Sequence, residues 1–205
     1  MKNLIITISR QYGSGGRQIG QQLAQELNIP FYDKEIIDLA AKESGLAADF
    51  IRGQEQQLTQ SLLFSIVTNF TSNSSAFNPN MLSLSDQVYL AQAKAIRSLA
   101  DKGPCVIVGR CANWVLEKDY DMLSIFVCGP MEVRCKRAVE EYGDKAEDIQ
   151  KTVRSIDKQR ARYCQHYCDK AWEDAENYDL CLNSGTLSLE NCVAIVKDAY
   201  QQLSK

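Results

Sequence analysis

The densest chemistry in the sequence lies in Arg10-Gln11-Tyr12-Gly13-Ser14-Gly15-Gly16-Arg17, where three glycines and a serine sit between two arginines. Glycine takes up backbone angles that other residues resist, so a turn rich in it can aim successive N–H groups at one spot. A helix starting there adds the partial positive charge of its N-terminus. By residue type the turn is a phosphate cradle; the plainer alternative is a tight strand-to-helix connection that holds nothing.

A second constellation is basic. Ile156-Asp157-Lys158-Gln159-Arg160-Ala161-Arg162-Tyr163 sets two arginines close together, just after an aspartate. Such groups suit a phosphoryl transition state, whose equatorial oxygens call for positive neighbours. Alternating charge on a solvated helix face is the other reading. Cys164-Gln165-His166-Tyr167-Cys168 carries metal-binding residue types, but a tetrahedral zinc site needs four ligands and the sequence offers no obvious second pair. These residues read as part of a half-buried helix, and no metal ligand is assigned. His166 is the only histidine, and no Ser or Cys signature accompanies it.

The elements that must position these groups alternate. Leu4 to Ser9 is a short apolar, β-branched run, the pattern of a strand buried on both faces. After the glycines, Ile19, Leu23, Ala24 and Leu27 recur at helical spacing. A second strand is expected over Ile29-Pro30-Phe31-Tyr32, ending at Asp33, and a helix from Lys34 to Ser44. Residues 53–85 are rich in Gln, Ser, Thr and Asn and read as an insertion, with a packed helix through Leu62-Leu63-Phe64-Ser65-Ile66-Val67 and a Ser/Asn-rich tip. A helix over 85–100 follows. Strands are expected at 105–108, 123–127 and 178–182, with one charged helical stretch from Met131 to Tyr163 and a closing helix from Ser188 to Leu203. Short buried strands alternating with helices give an open parallel sheet covered on both faces, whose ligands bind beyond the carboxyl ends of the strands. Asp33, Gly109-Arg110 and Asn183-Ser184-Gly185 stand at such ends.

Bulk properties narrow the partners. The 205 residues are 45% hydrophobic and 24% charged with a net charge of −3, ordinary for a globular protein and unlike a nucleic-acid binder, which shows a basic excess. No run approaches the roughly 20 apolar residues of a membrane helix, and Met1-Lys2-Asn3 passes into the apolar strand without a small-residue cleavage site. A cytoplasmic protein with no nucleic-acid or membrane partner is expected; the sequence does not speak to oligomeric state. The eight cysteines include no C-x-x-C pair and read mostly as small buried hydrophobes in a reducing compartment.

From Ile5 to Tyr200 the chain resembles the cytidylate kinase-like family of P-loop nucleoside monophosphate kinases. The resemblance implies a three-layer α/β P-loop kinase-type fold: a five-stranded parallel sheet with helices on both faces, a helical acceptor-side insertion and an arginine-bearing lid. Residues 1–205 then form one domain, with a core of 1–33 and 86–205, the insertion at about 34–85 and the lid at about 140–172. ATP is the implied donor, Mg2+ its implied metal, and a nucleotide the implied partner. Against the family's G-x-x-G-x-G-K-G-T loop, Gly13 and Gly15 match the second and third glycines. Arg10 replaces the first, Gly16 the lysine, and Gln18 the threonine that holds magnesium. Arg17 or Arg10 is a candidate for the missing cation, since either guanidinium can grip phosphate oxygens.

The implied donor site is Arg10, Gly13, Ser14, Gly15, Gly16, Arg17 and Gln18, with Ser184 in the loop against the donor base. Arg110 and Asp33 match acceptor-binding positions, although Val108 and Cys111 stand where the family has carboxylates and Lys34-Glu35 where it has Ser-Gly; Asp33 also suits a helix N-cap. Arg160 and Arg162 match the lid arginines, with Asp157 orienting one of them, so Arg17, Arg160, Arg162 and Asp157 form the expected catalytic set. Arg134 and Arg137 are expected to add to a basic rim. Two rivals remain: a nucleotide-binding regulatory or partner-binding protein without catalysis, and a dinucleotide-dependent oxidoreductase, for which the third fingerprint glycine is missing at Gln18.

Overall fold

The computed structural model describes residues 3–44 and 83–205. The expected helix over 62–67 and its Ser/Asn-rich tip lie outside them. Five strands, β1 (Ile5–Arg10), β2 (Phe31–Tyr32), β3 (Val106–Val108), β4 (Met122–Cys128) and β5 (Leu180–Asn183), form one sheet in the order β2-β3-β1-β4-β5. Every neighbouring pair is parallel, with Ile6 opposite Val106 and Leu123, and Val127 opposite Leu182. Seven helices accompany it among the described residues: α1 (Gly16–Leu27), α2 (Glu35–Ser44), α3 (Leu84–Ala100), α4 (Ala112–Leu116), α5 (Met131–Glu140), α6 (Ile149–Cys168) and α7 (Leu189–Leu203).

Strand alternation divides the core by face. Ile6 and Ile8 of β1, with Ile125 and Val127 of β4, pack with Ile19 and Leu23 of α1 and with Val193 and Val196 of α7. Phe126, pointing the other way, joins Cys111, Cys164 and Trp172. The chain divides into two compact units, residues 1–33 with 96–205, and residues 34–95. The first holds the sheet. The second contains α2, with Ile36, Ile37 and Ala40 buried, and most of α3.

Several element ends differ from expectation for local reasons. The second strand starts at Phe31, because Asn28 turns left-handed (φ 52°) and the Ile29 N–H still closes α1 on the Ala24 carbonyl. The fifth starts at Leu180, because Tyr178 closes a 3-10 turn over Ala175–Asn177. The single helical stretch expected from Met131 to Tyr163 is two helices. Gly143 (φ 77°) and Asp148 (φ 57°) sit in the left-handed region between them, where α-helix cannot continue. The short α4 after Arg110 was not expected. The last helix starts as the sequence indicates: the Ser188 hydroxyl caps it, accepting the Asn191 N–H at 3.1 Å. No described helix is long and apolar enough to cross a membrane.

Candidate functional site

β1 ends at Arg10 and α1 begins at Gly16, so the glycine-rich turn lies at the carboxyl end of the central strand. Gly13 (φ 76°) and Gly15 (φ 79°) are left-handed, and Gly15 caps α1 without any side-chain hydrogen bond. The first N–H groups of a helix have no partners within it, which is the feature anion sites at helix starts use.

The turn is gripped by its carbonyls. Arg160 Nη1 donates to the Arg10 carbonyl at 2.7 Å, Arg134 Nη1 to that of Tyr12 at 3.1 Å, and Arg137 Nη1 to that of Gly13 at 2.8 Å. The Ser184 hydroxyl donates to the Ser14 carbonyl at 2.6 Å. In a trans peptide the C=O and the next N–H point opposite ways. Fixing the Tyr12 and Ser14 carbonyls from outside therefore aims the Gly13 and Gly15 N–H groups the other way, that of Gly15 onto the Tyr142 phenol oxygen. The Tyr12 N–H donates to Asp157 Oδ1 at 2.7 Å, and Asp157 Oδ2 pairs with the buried Arg134 at 2.5 Å. Asp157 is thus an anchor of the loop, bonded to Arg134 and only 4.0 Å from Arg160 Nη1.

Arg10 crosses the turn. A Cβ on Gly16 would come within 2.6 Å of the Arg10 Cβ, and a Cβ on Gly109 would fall on the Arg10 Nη1. A side chain at position 16, including the lysine of the usual loop, is therefore incompatible with this path of Arg10. The guanidinium reaches the field of Asp33, the residue after β2. Burial raises the Asp33 pKa, but Arg10, Arg17 and Arg110 together outweigh it and hold the carboxyl below its usual range. Arg17 Nε donates to Asp33 Oδ2 at 2.7 Å, with the guanidinium over the Phe31 ring. Arg110 Nη1 donates to the Asp33 carbonyl at 2.7 Å and approaches Oδ1 at 3.3 Å.

Burial, then the charge of Arg10, lowers the Arg160 pKa, against the pull of Asp157, Tyr12 and Asp33. Positive charge is costly at this point, and a bound anion would relieve the cost. Arg160 also lies 5.6 Å over the Tyr12 ring. Burial and the hydrogen bond to Asp144 push the Tyr12 phenol up to about 12, so it stays neutral.

Of the expected site residues, Arg10, Gly13, Ser14, Gly15, Gly16, Arg17, Asp33, Arg110, Asp157, Arg160 and Ser184 gather at the carboxyl ends of the strands. Ser14 Oγ is turned inward and donates to the Gln11 carbonyl at 2.8 Å. Arg162 does not join them: two residues beyond Arg160, about 200° round the helix, it is exposed. Gln18 donates to Glu141 at 2.6 Å while its Oε1 is buried without a donor, so it offers no open oxygen to magnesium. The expected rim of Arg134 and Arg137 is instead an inner brace. Sequence reasoning missed this, and missed the part of Tyr12; the signal was the 134/137 pair at i,i+3, one face of α5 aimed at the loop.

Solved structures with this architecture include one of an uncharacterized protein from Eubacterium ventriosum ATCC 27560, at TM-score 0.70 and 26% identity, covering 96% of this chain and 97% of that one. Shikimate kinase from Acinetobacter baumannii, in complex with shikimate, matches at TM-score 0.53 and 9% identity over 98% and 95% of the two chains, a likeness of fold alone. The chain is 25% identical to a cytidylate kinase of Pyrobaculum islandicum, over 95% of its own length and 91% of the relative's. It is 32% identical to a cytidylate kinase of Methanococcus aeolicus over 110 residues, 52% of this chain and 61% of that relative. Residues 5–186 match the cytidylate kinase-like family itself, and with the P-loop kinase fold and the glycine turn in place, the chain belongs to that family.

Proposed function

We propose that the protein transfers a phosphoryl group from ATP to a nucleoside monophosphate of the CMP or dCMP kind, or to another small acceptor. The observation that carries this reading is the glycine loop at the carboxyl end of β1, held from outside by its carbonyls and leading into a helix start that no side chain caps. Arg10 takes the place of the absent lysine, which is why position 16 is glycine. Arg160 is the lid arginine. Arg17 and Arg110, both bonded to Asp33, form the acceptor side. Ser184 acts by bracing Ser14, and Arg162 has no part. Magnesium does not fit as a direct ligand of Gln18.

Charge is the catalytic means. A loose phosphoryl transition state needs positive groups around its equatorial oxygens and little covalent help. Purified protein with ATP, Mg2+ and a panel of CMP, dCMP, UMP and AMP should release ADP with at least one acceptor. Arg10→Ala should lower that rate on the order of 100-fold. ATP binding without ADP release under any acceptor would favour the non-catalytic nucleotide-binding reading, for which the glycine and glutamine at 16 and 18 speak. NADH bound in preference to ATP would be needed to restore the oxidoreductase.

A further inference from the structure

The cysteines of α6 find a partner that the sequence hid. Cys111, just after the end of β3, meets Cys164 and Cys168, one turn apart on α6, and the three Sγ atoms lie within 4.8 Å of one another. Three thiolates around one ion in a plane, at a metal–sulfur distance of about 2.3 Å, stand about 4.0 Å apart. Less than about 1 Å of closure therefore completes a trigonal site.

Two further observations distinguish this cluster from three small residues filling a core. Arg110 and Cys111 are consecutive non-glycine residues in the left-handed region, at φ 52° and 55°. Strain of that kind persists only where the surroundings hold it, and the Cys111 sulfur that follows it lies within 4.8 Å of both α6 sulfurs. The pocket is also walled by rings: Phe126 stacks edge-on with Trp172 at 5.3 Å, and Trp114 with Tyr178 at 6.0 Å. Aromatic walls shield a soft, oxidisable ion on those sides, leaving Cys168 at the half-exposed edge.

We propose that Cys111, Cys164 and Cys168 form a three-thiolate site for a soft monovalent cation, copper(I) in class. Soft thiolates select such ions, whereas structural zinc takes four ligands, and among the described residues no fourth Cys, His, Asp or Glu joins the group. The three thiols give up their protons to solvent as the ion enters, with no change of oxidation state. The bound ion joins the segment carrying Arg110 to the helix carrying Asp157 and Arg160.

Copper(I), titrated without oxygen into the reduced full-length protein against a chromophoric copper(I) chelator, tests the assignment. Trp114 and Trp172 are the chain's only tryptophans and both border the cluster, so their emission reports on it. One ion per chain and a change in emission are expected. Cys168→Ser, at the half-exposed edge, should weaken binding more than about 100-fold, while Cys181→Ser, exposed on β5, should bind as the unmodified protein does. Circular dichroism confirms that each variant is folded. Failure to take copper(I) from the chelator, undiminished binding by folded Cys168→Ser, or preference for zinc(II) would each overturn the proposal.

Discussion

Alanine at Gly13 and at Gly143 separates the conformational demand of the phosphate loop from its packing demand. The two glycines have nearly the same backbone angle, φ 76° and 77°, but different surroundings. A Cβ at Gly143 meets nothing within 4 Å, so Gly143→Ala costs only the left-handed penalty of an L-residue, about 1–2 kcal/mol. A Cβ at Gly13 falls on the backbone carbonyl of Arg134. That carbonyl cannot easily retreat: the Arg134 N–H is bonded to Pro130, and its guanidinium to Asp157, Gly129 and Tyr12. Overpacking of a held core adds about 1–3 kcal/mol, so Gly13→Ala should cost about 2–5 kcal/mol in all. Urea unfolding of the two variants reads the difference. ATP affinity, measured where both are folded, should fall for Gly13→Ala and hold for Gly143→Ala. Equal stability losses within about 0.5 kcal/mol would refute the claim that α5 presses against the loop.

Asp157→Asn leaves Arg134 buried without its counter-charge and should cost about 3–5 kcal/mol in urea. Replacing both partners by Leu and Met should recover most of that loss, and simple additivity of the single losses would show that the pair is not coupled. Ser184→Ala strips the donor from the buried Ser14 carbonyl; a loss of about 1–3 kcal/mol is expected, with weaker ATP binding. Asp33 supplies a pH test. Its carboxyl is held below the 3.8 of an unstructured aspartate, so its ion pairs stabilise the fold above that pH and lose their effect as pH falls through the lower folded value. Asp33→Asn should be the less stable protein at neutral pH, and the two unfolding curves should converge under acid. A gap that persists unchanged to low pH would assign the loss to shape rather than charge.

Local and periodic features were legible in the residues themselves. The βα turn at 10–17 was legible because glycine's freedom is a property of the residue. The five strands and the cap at Ser188 were legible because apolar period and capping chemistry are written in neighbouring positions. The break between α5 and α6 was not, because the charged pattern runs on across Gly143 and one glycine weighs little in a helical average. Sequence also assembled most of the site, through strand ends that a parallel sheet must bring to one edge.

The surroundings of those residues are a matter of the folded chain. Arg134 and Arg137 carry no mark that separates an inner brace from a basic rim; burial and the reach to the Tyr12 and Gly13 carbonyls do. In sequence Arg17 is the first candidate for the missing cation and Arg10 the second; the path of Arg10 over Gly16 and the bond of Arg17 to Asp33 are visible only in the folded chain. Cys111 stands more than fifty residues from Cys164, and no spacing rule joins them. The physical reason is the same in each case: a charge or a thiol gains its role from what lies within a few ångströms, and here that distance is set by chain folding between remote segments.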